Sequence, residues 1–193
     1  MKLFYMNQGG HGNWGALRYS DFDILCLAEN KILKSGFKMD WYSKDSLPTM
    51  SIQSQATQGR VINAVNDLDV NVQTVRPIIK FSITHLALNV VFVHLKSANK
   101  NQASEAINIA VTHVKSYYSH KPILWIGDFN RLDTDAGPLR HLAGFEILYE
   151  GGGQARWNLD RAYLTGTWGY QPKVQVGTVA AGDNGHVGII VHL

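Results

Sequence analysis

At 193 residues, 45% apolar, 10% aromatic and 17% charged, the chain can bury a substantial core and carries too little charge for a disordered segment. A net charge of +3 and a pI near 8.9 suit a polyanionic partner without requiring one, and no Lys/Arg block forms a tail. No apolar run reaches the length of a membrane-spanning helix, and the lone Cys26 excludes an internal disulfide.

In chain order, Leu3–Met6 reads as the first strand, interrupted at Asn7 and too short for the core of a signal peptide. The protein is therefore expected to act in the cytoplasm where it is made, or to be secreted with its leader removed. A Gly/Asn-rich break, Gly9 to Asn13, precedes a short helix over Trp14–Tyr19. Asp23–Ala28 reads as a strand, and its apolar run Ile24-Leu25-Cys26-Leu27 predicts a buried, inert thiol. Arg60–Val65, Pro77–Ile83 and Val90–His94 read as further strands. The clearest helix is Gln102–Tyr118, where Ile107, Ala110, Val111, Val114 and Tyr118 form one apolar stripe. Pro122–Ile126, Leu159–Leu164 and Val187–His192 complete the strands, with glycine-rich breaks at 151–153 and 182–185. No repeat, linker or change in composition divides the chain, so residues 1–193 are read as one domain. So many strands with so few helices do not make a βαβ repeat. An α+β fold of mixed sheets packed face to face, with helices outside, fits better.

Residues able to do chemistry stand where the apolar strands stop. Leu3 to Met6 ends in Asn7, and Asp23 to Ala28 ends in Glu29. Val90 to Val93 ends in His94, and Ile123 to Ile126 ends in Gly127-Asp128-Phe129-Asn130. Each end alone has an ordinary explanation, since Asp and Asn form turns with their own backbone and a single His is usually a hydrogen-bonding residue. Together they place carboxylates, amides and an imidazole at the rim of a sheet, where they can share one pocket.

Gly127-Asp128-Phe129-Asn130 after an apolar strand resembles the signature of the endonuclease/exonuclease/phosphatase superfamily, the deoxyribonuclease I-like enzymes. The order of Asn7-Gln8-Gly9, Glu29, His94, Leu159-Asp160-Arg161 and His186 also resembles that superfamily. Within it the chain is similar to the B subunits of cytolethal distending toxins, at Arg60 to Asn63, Arg76 to Ile79, His94 to Ser97 and Asp160 to Gly166. The resemblance implies a four-layer α/β/β/α sandwich and attack of water on a phosphodiester of DNA, assisted by a divalent metal. It assigns catalytic roles to His94, Asp128, Asn130, Asp160 and His186. Asn7 and Glu29 become metal ligands, and such oxygen donors suit Mg²⁺ first, with Mn²⁺ or Ca²⁺ as alternatives. Arg60, Arg76 and Arg131 become candidate phosphate clamps. A monomeric catalytic domain with DNA as partner follows, joined by separate delivery subunits if the chain serves a toxin.

The chain departs from the superfamily's pattern twice. Relatives carry an Asp before the terminal His, where this chain has Gly185; Asp183 is the nearest replacement as metal ligand. Relatives also pair the first His with a Glu from an intervening hairpin, yet no Glu lies between Glu29 and Glu105; Asp45 or a hydroxyl is left to substitute. Two other readings remain open: a phosphatase acting on phosphoinositides or other small phosphate esters, and a catalytically impaired binding module. No zinc motif and no GxxxxGK[ST] phosphate loop is present.

Overall fold

Alternation with a period of two along apolar strands organises the molecule. The computed structural model describes residues 1–8, 18–30, 32–43, 50–58, 61–67, 78–95, 100–118, 120–130, 136–151, 159–177 and 186–193. Their strands are β1 (Lys2–Asn7), β2 (Ile24–Ala28), β3 (Phe37–Tyr42), β4 (Met50–Gln55), β5 (Ile62–Asp67), β6 (Ile79–Ile83), β7 (Leu88–His94), β8 (Ile123–Asp128), β9 (Glu146–Gly151), β10 (Asp160–Thr165), β11 (Lys173–Gly177) and β12 (Gly188–His192). Helix α1 (Lys100–Tyr118) lies between β7 and β8. Two six-stranded sheets result, ordered β11-β12-β1-β2-β4-β3 and β5-β6-β7-β8-β10-β9. Each has one parallel pair at its centre, β1 with β2 and β7 with β8. The remaining pairings are antiparallel. Parallel neighbours need a crossover, and α1 supplies it for β7 and β8.

On the central strands, Leu3, Tyr5, Ile24, Cys26, Val90, Phe92, Leu124 and Ile126 face the opposite sheet and form the core between the layers. The residues between them point outward. Val91, Val93, Ile123 and Trp125 meet Ile107, Ala110, Val111 and Val114 of α1, with Tyr118 partly buried beside them, which is the stripe read from the sequence; Ala103 extends it by one turn. On the far side Phe4, Met6, Leu25 and Leu27 pack with Phe22 and Phe37. Each buried Leu, Ile, Val, Phe or Met among them contributes about 1.5–3 kcal/mol, so the two packed sheets, rather than helix propensity, hold the fold. Cys26 is buried, and burial pushes its thiol well above the ordinary range, which fits the inert role expected.

The α+β sandwich is thus the expected one, and every strand read from the sequence is present, with ends moved by at most two residues. The helix expected over Trp14–Tyr19 begins outside the described residues, and Tyr19 opens a 3-10 turn, Tyr19–Asp21. Four strands escape the sequence reading. β3, β9 and β11 are edge strands with mixed polar faces, where burial imposes no clean alternation. β4 is internal, but its buried positions hold Ser51, Gln53 and Ser54. Gln53 accepts from the Lys34 amide and donates to the Ile32 carbonyl at 2.9 Å each, and Ser51 donates to the Asn30 carbonyl at 2.9 Å. Buried polar side chains here satisfy the backbone of the neighbouring loop, so the hydrophobic pattern is silent.

Gly127 shows why the signature needs glycine. Its φ is +148°, and a Cβ there would stand 1.9 Å from the Val93 carbonyl oxygen on the parallel neighbour. Gly127→Ala is expected to cost about 3 kcal/mol or more in urea unfolding. A loss under about 1 kcal/mol would contradict this close approach.

Candidate active site

The inward-facing rows continue past their apolar residues into polar ones. Leu3 and Tyr5 lead to Asn7, Val90 and Phe92 to His94, Leu124 and Ile126 to Asp128. The antiparallel neighbours begin where these strands finish: Asp160 opens β10 in register with Asp128, and His186 stands just before β12. Strand direction and alternation thus bring both sheets' polar ends to one rim.

Hydrogen bonds close the gap between the sheets. The Asn7 amide nitrogen donates to Asp128 Oδ2 at 3.0 Å and lies 3.3 Å from His186 Nε2. His186 Nδ1 lies 3.0 and 3.1 Å from the two Asp160 oxygens, so Nδ1 carries the proton and Nε2 is left facing Asn7 and Asp128. Asp160 also accepts from the Tyr5 hydroxyl at 2.9 Å and from the Val187 amide at 3.0 Å. The Asp128 Oδ1 atom accepts from the Asn130 amide at 2.9 Å, while the Asn130 side chain donates to the Leu95 carbonyl at 2.7 Å. His94 Nε2 lies 3.5 Å from Glu29 Oε1 and 3.8 Å from Asp128 Oδ2, which supplies acidic neighbours that the sequence left unassigned. Glu29, 28% exposed, marks the side of the cluster open to solvent.

Among the described residues, negative charge is under-compensated here: the ion-pair partners of Glu29, Asp128 and Asp160 are histidines alone. Burial, reinforced by Asp160, pushes the Asp128 carboxyl up to about 7. Burial works against a charged His186, but the hydrogen bond and charge of Asp160, with Asp128 and Glu29, outweigh it and raise its proton affinity. The same burial and the facing carboxylates push the Tyr5 hydroxyl well up, so it remains a donor to Asp160.

A hard divalent cation fits this donor set. Asp128, Asp160 and His186 each offer one ligand atom, all within 4.8 Å of one another. Asp160, however, spends its oxygens on Tyr5, His186 and Val187. Asp128 likewise accepts at both oxygens, from Asn7 and Asn130, and Glu29 adds a solvent-facing carboxylate from the opposite sheet. A cation held by them would offset the charge that raises Asp128.

The structure therefore brings together Asn7, Glu29, His94, Asp128, Asn130, Asp160 and His186. Asp183, Gly185, Asp45, Arg60, Arg76 and Arg131 lie outside the described residues. Sequence reading missed Tyr5 and the Leu95 carbonyl. Tyr5 was accessible in principle, because it shares the alternating face of Leu3 and Asn7.

The fold is that of the deoxyribonuclease I-like superfamily. TDP2 from C. elegans matches over 100% of this chain and 75% of its own, at 14% identity and a TM-score of 0.67. A humanized D. rerio TDP2 matches over 100% and 99%, at 12% identity and a TM-score of 0.72. The cytolethal distending toxin of Actinobacillus actinomycetemcomitans matches over 98% and 97%, at 16% identity and a TM-score of 0.66. No protein-family model and no curated protein matches the sequence.

The raised groups make stability depend on pH. A carboxyl with raised proton affinity in the folded state stabilises the fold fully below its ordinary 3.8, and that contribution is lost as pH rises through about 7. His186 acts in the same direction, its contribution being complete below 6.5 and lost above its raised folded value. In chelator-treated buffer, the melting temperature should fall as pH rises from about 4 to about 7, and Asp128→Asn should flatten that fall. An equal slope in the variant would show that the pH dependence does not originate at Asp128.

Proposed function

We propose that this chain is a divalent-metal-dependent endonuclease that hydrolyses DNA phosphodiesters by water attack, with residues 1–193 as one catalytic domain. The observation that carries the reading is the set Asn7–Asp128–His186–Asp160, joined across both sheets by contacts of 3.0 to 3.3 Å. Further support comes from a D. rerio TDP2 complexed with a single-strand DNA product, similar in fold at 13% identity and a TM-score of 0.66.

Asp160 fixes the His186 ring so that Nε2 takes the proton of the attacking water. Asp128 and Asn130 hold that water and the phosphate, their own positions set by the Asn130 amide and the Leu95 carbonyl. His94, between Glu29 and Asp128, donates to a phosphoryl oxygen or to the leaving oxygen. Glu29 and Asn7, with Asp128 bordering them and Asp183 in place of the carboxylate absent at Gly185, would hold the ion. Bound Mg²⁺ or Mn²⁺ supplies neutralisation of charge on the phosphoryl oxygens. Arg60, Arg76 and Arg131 clamp phosphates, so binding weakens with salt and reads sequence poorly. Service as the cutting subunit of a secreted toxin, alongside separate delivery chains, is the finer form of this reading, motivated by the likeness to the toxin.

Wild-type protein with Mg²⁺ or Mn²⁺ should nick supercoiled plasmid, and EDTA should abolish nicking. Asp128→Ala and His186→Ala should each lose about 10²-fold or more. Release of phosphate from a phosphoinositide with no nicking of plasmid would overturn DNA as substrate. Silence in both assays would favour an impaired binding module.

A further inference from the structure

Glu29 is a non-glycine residue at φ +59°, the left-handed region that side chains other than Asn and Asp rarely adopt. It directly follows β2, whose pairing with β1 ends at Asn7 and Ala28. An ordinary continuation of the strand would carry residue 29 onto the outward face. The left-handed turn instead leaves its Oε1 3.5 Å from His94 Nε2 on the opposite sheet.

The residues on either side of this turn are fixed by side-chain amides. The Gln8 backbone donates to the Ala28 carbonyl at 2.9 Å, extending the parallel pairing by one bond. The Asn30 amide nitrogen donates to Gln8 Oε1, and Gln8 Nε2 donates to the Tyr19 hydroxyl at 2.9 Å. Asn30 Oδ1 accepts from the Ile32 backbone at 2.6 Å, and the Asn30 carbonyl accepts from the Ser51 hydroxyl at 2.9 Å. Gln8 and Asn30 are both buried, 1% and 6% exposed, so water cannot replace these bonds. A backbone conformation of this kind persists only where its surroundings over-determine it.

We infer that Gln8 and Asn30 are positioning residues that hold Glu29 in its left-handed conformation and so aim its carboxylate at the metal-binding rim. The inference rests on the proposed role of Glu29 as a metal ligand. Neither amide touches the ion or the substrate; both act through the backbone of residue 29.

Calorimetric titration of the full chain with Mn²⁺ tests it, beside thermal melts of the same samples without metal. Glu29→Gln should weaken Mn²⁺ binding about tenfold or more, and Asn30→Ala should weaken it by a comparable factor. The double variant Glu29→Gln/Asn30→Ala should bind no more weakly than Glu29→Gln alone, because Asn30 has nothing left to position. If Asn30→Ala does not fold, Gln8→Met, which removes both side-chain bonds at nearly constant volume, carries the same comparison. A lowered melting temperature with unchanged Mn²⁺ affinity would reduce the amide pair to a structural role and overturn the inference. Additive losses in the double variant would overturn it as well. Unchanged affinity in Glu29→Gln would instead remove Glu29 from the metal site, which is a failure of the proposed function itself.

Discussion

The carboxylate of Asp160 ties the two sheets together at the end where the chemistry-bearing residues collect. It is fully buried at the start of β10 and accepts from Tyr5 on β1, from His186 Nδ1 and from the Val187 amide leading into β12. Taking a carboxylate out of water costs several kcal/mol unless hydrogen bonds saturate it. Here they do, and the donors come from the opposite sheet. This side chain, together with the Asn7–Asp128 bond, sets the distance between the layers at the rim, and it fixes the orientation of the imidazole. Asp128 depends on it too, since the nearby Asp160 charge reinforces burial in raising its proton affinity.

Part of the same rim is strained backbone. Glu29 and Asn130 both hold positive φ without being glycine, and Gly127 on β8 has no room for a Cβ against Val93 of β7. Such positions weaken a fold and persist only where their surroundings over-determine them. The apolar rows behind them, Leu3 and Tyr5 or Val90 and Phe92, supply the stability that tolerates this arrangement.

Much of the site was legible because it prolongs a strong hydrophobic pattern. Val90 to His94 and Ile123 to Asp128 are unbroken apolar strands, so the residue at each end was conspicuous, and the order of these ends carried the resemblance. The two-sheet class followed from the same strands. β4 was illegible, because its buried Ser51 and Gln53 serve the backbone of Asn30, Ile32 and Lys34 rather than an apolar face. The acidic neighbour of His94 was illegible for a different reason. Glu29 and His94 are distant in sequence and meet only through sheet packing and a left-handed turn, neither of which leaves a local signal.

The dyad of His186 and Asp160 is the centre of the proposed chemistry, and a double-mutant cycle on plasmid nicking tests it most directly. If Asp160 works by orienting His186, Asp160→Asn combined with His186→Ala should be no slower than His186→Ala alone. Losses that multiply in the double variant, with Asp160→Asn melting at the wild-type temperature, would show that the two residues act independently, and would contradict the dyad.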